Sequence, residues 1–367
     1  MLERNDGKRG LILRAAALAL AVAAAPGGAI AQTQEPRSVS ACAQTILTMS
    51  SWVPPTHHLT SVVLRGFADE VEQASAGRLQ FRMLPKHPVP AQATFDAVRD
   101  GSVDVSFVSA SYTPDRHILP LVADFPAAGE TAEITSVAYS RLHWKRLHGA
   151  GEYEGVHLLG VFTHGPGHVF NTKRPIESLA DLAGLRLRTG GSVAEAIARA
   201  LGASVVVNPV NPNAQTDNRE LLTSGIADGV LFPQDTIVSF KLDKLVRYAT
   251  LFPGGLFNFS FGFIMNEDKW NSLCERDREL LTRFGGEYLA RRAGKSWDNA
   301  DRLGNAGMKE TGVHFESASP ALIRDMQAKA QPVIRAWIGS VKEKRNMDGA
   351  MLLREFHEEV ERVAAGD

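Results

Sequence analysis

Apolar and polar positions along this chain change period in a repeating order. Residues 44–49 (QTILTM) read as a strand, stopped by Ser50-Ser51-Trp52-Val53-Pro54-Pro55. Leu59, Val62, Val63, Phe67 and Val71 then recur at helical spacing, Gly77 ends that helix, and residues 79–83 form a second strand. A helix over 94–99, the quartet Gly101-Ser102-Val103-Asp104 and a strand over 105–108 follow, ending at Ser109-Ala110-Ser111-Tyr112. The same helix, G-x-x-D and strand recur at 219–224, Gly225-Ile226-Ala227-Asp228 and 229–232, ending at Pro233-Gln234. Two β/α halves built alike are expected, with the chain passing between them, and ligands commonly bind at such junctions. Asp104 and Asp228 read as pinning the turn after each helix. Between the halves, 156–162 and 256–264 are expected strands. In the second, Phe257, Phe259, Phe261 and Phe263 share one face opposite Asn258, Ser260 and Gly262. The remainder reads as helices over 276–289, 297–308, 320–340 and 349–364, with a short strand at 313–315.

The stretch 181–209, DLAGLRLRTGGSVAEAIARALGASVVVNP, is the most informative. Residues 185–188 alternate apolar and basic as a strand does, and Gly190-Gly191 breaks the pattern. Ser192 and Glu195 have capping-box spacing before a helical stripe of Val193, Ile197, Ala200 and Leu201. Gly202 fits a helix C′ position, and 204–207 reads as the next strand. Arg188 falls where the first strand meets its loop, the edge at which open α/β sheets bind ligands. A guanidinium there suits a carboxylate held by two parallel hydrogen bonds; the alternative is a salt bridge to a surface acid.

Composition narrows the function. Arg4, Lys8, Arg9 and Arg14, the apolar run 15–25 and Ala29-Ile30-Ala31 are the parts of a secretory signal, so residues 1–31 are expected to be removed and the rest exported. The run is too short to span a bilayer, and no stable membrane insertion is expected. Net charge is −1, and −3 without that segment, which argues against nucleic acid as a partner. Cys42 and Cys274 are expected as two buried free thiols, with pairing in an oxidising compartment the alternative. No G-x-S-x-G elbow or H-E-x-x-H pair is present, and His57-His58, His143 and His148 read as surface or packing histidines. No enzyme, cofactor or metal is therefore expected.

Taken together, Asn171-Thr172-Lys173-Arg174-Pro175-Ile176, Asp181-Leu182-Ala183-Gly184-Leu185-Arg186-Leu187-Arg188, Leu201-Gly202-Ala203 and Gly225-Ile226-Ala227-Asp228-Gly229 resemble the extracytoplasmic solute receptors of TRAP transporters, the DctP-like family. The resemblance covers nearly all of the chain after residue 44. It implies an α/β fold, a two-lobed periplasmic-binding-protein clamshell with long C-terminal helices bridging the lobes. Lobe I is expected over 42–163 and 256–300, lobe II over 164–255 and 301–345, and a C-terminal helix over 346–367. It also implies a periplasmic location, an organic-acid solute, membrane permease subunits as partners, and Arg188 as the carboxylate anchor.

Departures from the family bear on the solute. Sialic-acid-type members carry a second arginine where this chain has Gly167, and an asparagine where it has Phe232. The loss of a charge and a polar group predicts a compact monocarboxylate with an apolar or aromatic body: an aryl, branched-chain or 2-oxo acid. A dicarboxylate needs a second cation, which His164 would supply only in part at neutral pH. Trp52 either stacks on a planar ligand or anchors its loop. Ser109 and Tyr112 either donate hydrogen bonds to the solute or, for Ser109, serve the turn. Phe232 and Gln234 are placed at the site by the repeat. Phe257 either lines the cleft or belongs to the core stripe, and Asn211 either contacts ligand or starts a helix. A ligand sensor for a membrane kinase or chemoreceptor would use the same clamshell; a periplasmic enzyme is the more distant alternative.

Overall fold

The computed structural model describes residues 42–206 and 218–367; the expected signal, 1–31, and Asn211 lie outside the described residues. Strands β1 (Thr45–Met49), β2 (Leu79–Met83), β3 (Val105–Ser109) and β4 (Val156–Thr163) come first. They are followed by β5 (His168–Asn171), β6 (Arg186–Arg188), β7 (Ser204–Val206), β8 (Gly229–Phe232), β9 (Tyr248–Leu251), β10 (Ser260–Asn266) and β11 (His314–Ser317). They form two mixed sheets, ordered β2-β1-β3-β10-β4 and β11-β9-β5-β8-β6-β7. In the first, β1 runs parallel to β2 and β3 while β10 is antiparallel to β3 and β4. In the second, β6 is parallel to β7 and β8, and β5 is antiparallel to β8 and β9.

The G-x-x-D repeat performs one job in both sheets. Gly101 and Gly225 follow their helices with φ of 75° and 71°, the left-handed conformation that glycine adopts at least cost. Each aspartate then reaches sideways to the neighbouring strand. Asp104 accepts hydrogen bonds from the Thr48 amide and hydroxyl, both at 2.7 Å. Asp228 accepts from the Arg186 amide at 3.0 Å and from its guanidinium at 2.9 and 2.8 Å. The aspartates thus staple strand to strand, beyond the turn-pinning read from the sequence.

Three other expectations need correction. Cys42 and Cys274 are half-buried and bonded as a disulfide, with Cα atoms 5.7 Å apart. Cys42 precedes β1 and Cys274 caps the helix Glu275–Phe284, so both lie at one end of the first sheet. The Ser192/Glu195 capping box does not form. Gly191 is the N-cap in extended backbone, and Glu195 pairs with Arg199 at 2.8 Å instead. The expected helix over 276–289 breaks at Gly285 and Gly286, and a new helix runs from Gly286 to Glu310.

That 25-residue helix packs on Ala132–Leu142 of the first half and Gln234–Ser239 of the second. A Cβ at Gly294 would lie 2.4 Å from Glu133 Cα, and one at Gly304 2.5 Å from the Gln234 carbonyl, so only glycine permits both approaches. The helix Pro320–Arg345 also touches both halves. Its Trp337 indole donates to the Ile118 carbonyl at 2.8 Å and Arg345 pairs with Glu152, while other residues rest on Leu179–Leu182 and Ser192–Ala200.

Candidate functional site

Between the sheets the chain crosses twice in extended form, after β4 and before β10, and the two crossings bind each other. The Gly167 amide donates to the Phe257 carbonyl and the Leu256 amide to the Gly167 carbonyl, both at 2.9 Å, and the His164 amide donates to the Phe259 carbonyl at 3.1 Å. β10 starts only at Ser260, so Phe257 and Phe259 are not part of the strand expected over 256–264. Asp124 explains the late start. It is fully buried and takes up the Ser260 amide and the Ser111 hydroxyl, each at 2.7 Å, while its carbonyl accepts the Asn258 amide. Burial pushes this carboxyl up to about 7, partly offset by those hydrogen bonds. The phenylalanine stripe is therefore divided. Phe263 packs on Phe67 in the core, whereas Phe257, Phe259 and Phe261 turn toward a space between the halves.

That space is walled mainly by aromatic rings. Trp52, Tyr112, His164, Phe232 and Phe257, all singled out from sequence, line it. Trp52 anchors its loop and also borders the space. Its indole donates to the Phe107 carbonyl at 3.1 Å, fixing the loop, and its ring lies beside Tyr112 and Phe107 on the wall. Gly167 instead supports the wall: a Cβ there would lie 2.3 Å from the Phe257 ring, so the ring occupies the room a side chain would need.

Arg188 ends β6 with its side chain buried, 2% exposed. Its guanidinium donates to the Thr189 carbonyl and sits 5.6 Å from the centroid of Phe232. Arg188 thus meets the wall through Phe232, and Gly190, two residues on, borders the space directly. Gly190 and Gly191 have no side chains because the Phe259 ring lies there, within 2.8 and 2.9 Å of where their Cβ atoms would be.

His164 does not act as a partial cation. It is wholly enclosed, and desolvation lowers it to about 3, so it is neutral at pH 7. Ser109 is buried at the end of β3 with its hydroxyl unpartnered, but off the wall. Gln234 lines a separate polar cleft with His168, Asp298, Asp301 and Arg302, and its side-chain carbonyl accepts from Asn305 at 2.6 Å. The structure therefore does not bring Ser109 or Gln234 to the aromatic space.

Sequence reasoning missed His57, Phe240, Phe259, Phe261 and Trp297 on the wall. Only Phe259 and Phe261 left a trace, as members of the stripe. His57 and His58 are neither surface nor isolated: their Nε2 atoms lie 3.5 and 3.6 Å from Asp235 Oδ2, joining the first half to the second. The three offer one donor atom each, all within 4.8 Å of one another, a spacing at which they could share a metal ion. The Leu59 amide, however, donates to His57 Nδ1, which leaves the hydrogen on Nε2 facing Asp235. Asp235 Oδ2 and His58 Nε2 form no hydrogen bond among the described residues, so the cluster is a close contact of ionisable groups across the two halves. Burial raises Asp235 to about 7 and lowers His57 to about 4.

Two mixed α/β halves joined by crossing strands, with an enclosed space between them, define a two-lobed solute-binding fold. The family model of the bacterial extracellular solute-binding proteins, family 7 (DctP), matches residues 49–340. The chain belongs to that family, the extracytoplasmic solute receptors of TRAP transporters. It is similar to a TRAP periplasmic solute-binding protein of Bordetella bronchiseptica solved with bound (R)- and (S)-mandelate. The two are 38% identical with a TM-score of 0.81, over 87% of this chain and 99% of that one. A marine metagenome TRAP solute-binding protein specific for aromatic acids, solved with 3-hydroxybenzoate, is 27% identical with a TM-score of 0.80, over 87% and 99%. TsaT of Comamonas testosteroni, called an outer membrane transporter protein, is 25% identical over 80% of this chain and 85% of its own length. Among the described residues no helix is long and apolar enough to cross a membrane.

Proposed function

We propose that this protein captures a compact aromatic monocarboxylate in the periplasm and delivers it, unchanged, to the membrane subunits of a TRAP transporter. The observation that carries the reading is a buried arginine at a strand end, its guanidinium 5.6 Å from the Phe232 ring of a wall built mainly of aromatic side chains. Arg188 neutralises the carboxylate and the rings of Trp52, Phe232, Phe257 and Phe259 receive the apolar body. No lysine or arginine lines the space among the described residues, and neutral His164 adds no charge, so a second carboxylate would be buried without a partner. The relatives solved with mandelate and with 3-hydroxybenzoate support the same solute class. Closure over the solute follows from its preference for the closed form.

The test is a thermal melt of residues 32–367 against benzoate, mandelate, branched-chain acids, 2-oxo acids, dicarboxylates and sugar acids. A solute at a hundred times its Kd stabilises the fold by about 2.7 kcal/mol. Removing one partner of a buried charged pair costs about 2 kcal/mol or more, so Arg188→Ala should weaken the aromatic acids at least about 30-fold. Shifts confined to dicarboxylates or sugar acids would overturn the solute class, and undiminished binding by Arg188→Ala would overturn the anchor.

A further inference from the structure

The wall holds two polar atoms that nothing among the described residues satisfies. His164 Nδ1 faces the Gly165 carbonyl, which can only accept, so Nδ1 carries the ring hydrogen. The ring is neutral, and its other nitrogen, Nε2, is therefore a bare acceptor. That nitrogen is buried, has no hydrogen-bond partner, and belongs to a residue lining the aromatic space. Trp297 presents the opposite group: its indole N–H, donor only, is also buried without an acceptor, on the same wall. The two rings are 5.6 Å apart between centroids. Phe257 and Phe259 crowd His164 at 5.6 and 5.0 Å and bring no polar atom to it. Buried polar groups left unpaired are costly and native proteins rarely keep them.

We infer that His164 and Trp297 form a hydroxyl-reading pair, so that the solute is an aromatic acid carrying one hydroxyl as well as its carboxylate. One hydroxyl answers both groups, donating its hydrogen to His164 Nε2 and accepting from the Trp297 N–H. This assignment rests on the aromatic-monocarboxylate reading and adds a second polar recognition point to it. A site built to bond a hydroxyl discriminates strongly against the analogue that lacks it, because its own groups are then left unpaired.

Isothermal titration of the protein with matched acids decides the matter: benzoate against 3- and 4-hydroxybenzoate, and phenylacetate against mandelate. The expected result is that at least one hydroxylated acid binds tenfold or more tighter than its partner. His164→Phe and Trp297→Phe, which keep an aromatic ring at each position, should each bring that ratio near one. Trp297→Phe is the variant that preserves the fold if His164→Phe does not. Equal or tighter binding of every unhydroxylated acid would overturn the hydroxyl assignment alone, with a bound water then the occupant of the pair. A ratio that survives both variants would overturn the named residues. No binding by any acid of either series would overturn the underlying solute reading together with this one.

Discussion

Gly167→Ala is the sharpest probe of how the wall is built. The new Cβ would lie 2.3, 2.5 and 2.6 Å from three carbons of the Phe257 ring, well inside contact distance. Backbone adjustment cannot relieve this readily, because Gly167 is hydrogen-bonded through both its amide and its carbonyl to the segment that carries the ring. The ring must leave its position, and overpacking of this kind costs about 1–3 kcal/mol. Phe257→Ala alone should cost about 3–5 kcal/mol through the cavity it leaves. Combined, the two changes should cost at least about 1 kcal/mol less than the sum, since the methyl then enters vacated space. Urea unfolding of the four proteins measures the coupling, and titration with the solute identified in the melts should show weaker binding for Gly167→Ala. Strict additivity, or a Gly167→Ala protein with unchanged midpoint and affinity, would refute the account of Phe257 as the occupant of the lost side chain's place.

Replacing Cys42 and Cys274 by serine should lower the urea midpoint. The bond joins residues 232 apart, for which the chain-entropy relation gives a ceiling of about 5.5 kcal/mol, and an unchanged midpoint would show that the link adds nothing. Stability should also fall as pH drops from 7 to 5. Eight histidines, among them His117, His143, His164 and His168, are lowered by burial to about 4 or below, so between those values and 6.5 the unfolded chain binds protons that the folded one does not. Asp124, Asp235 and Asp301 act in the opposite sense, holding protons in the folded state that the unfolded chain releases above about 4. Histidines outnumber them, and each net proton is worth about 1.4 kcal/mol per pH unit. Melting temperatures that stay level from pH 7 to 5 would contradict this balance.

What the sequence revealed was periodic or repeated. The two G-x-x-D units, the strand ending at Arg188 and the long terminal helices follow from spacing, because their apolar periods and turn glycines are local signals. The features it concealed depend on encounters between distant segments. Cys42 meets Cys274 only once a strand and a helix end share one edge of a sheet. Trp297 lies within a charged helical stretch that shows nothing of the solute space its ring borders. His57 was legible as half of a histidine pair, but Asp235, which gives the pair its meaning, lies in the other half. Local rules also failed where one residue decided between them. Ser192 and Glu195 have the spacing of a cap, yet Gly191 takes the capping position.

The 286–310 helix grips both halves through two carboxylates three residues apart. Asp298 accepts the Ala132 and Glu133 amides at 2.6 and 3.0 Å, and Asp301 accepts the Asp235 amide at 2.8 Å. One helical turn therefore serves as an axle, with a bearing for each half. Any change in the angle between the halves must be taken up by bending within that turn or by letting go of one carboxylate. Kinks of this kind need an identifiable cause, and here it would be the torque between two clasps less than a turn apart. The travel of the jaw is set beside its teeth, one residue from the Trp297 ring on the wall.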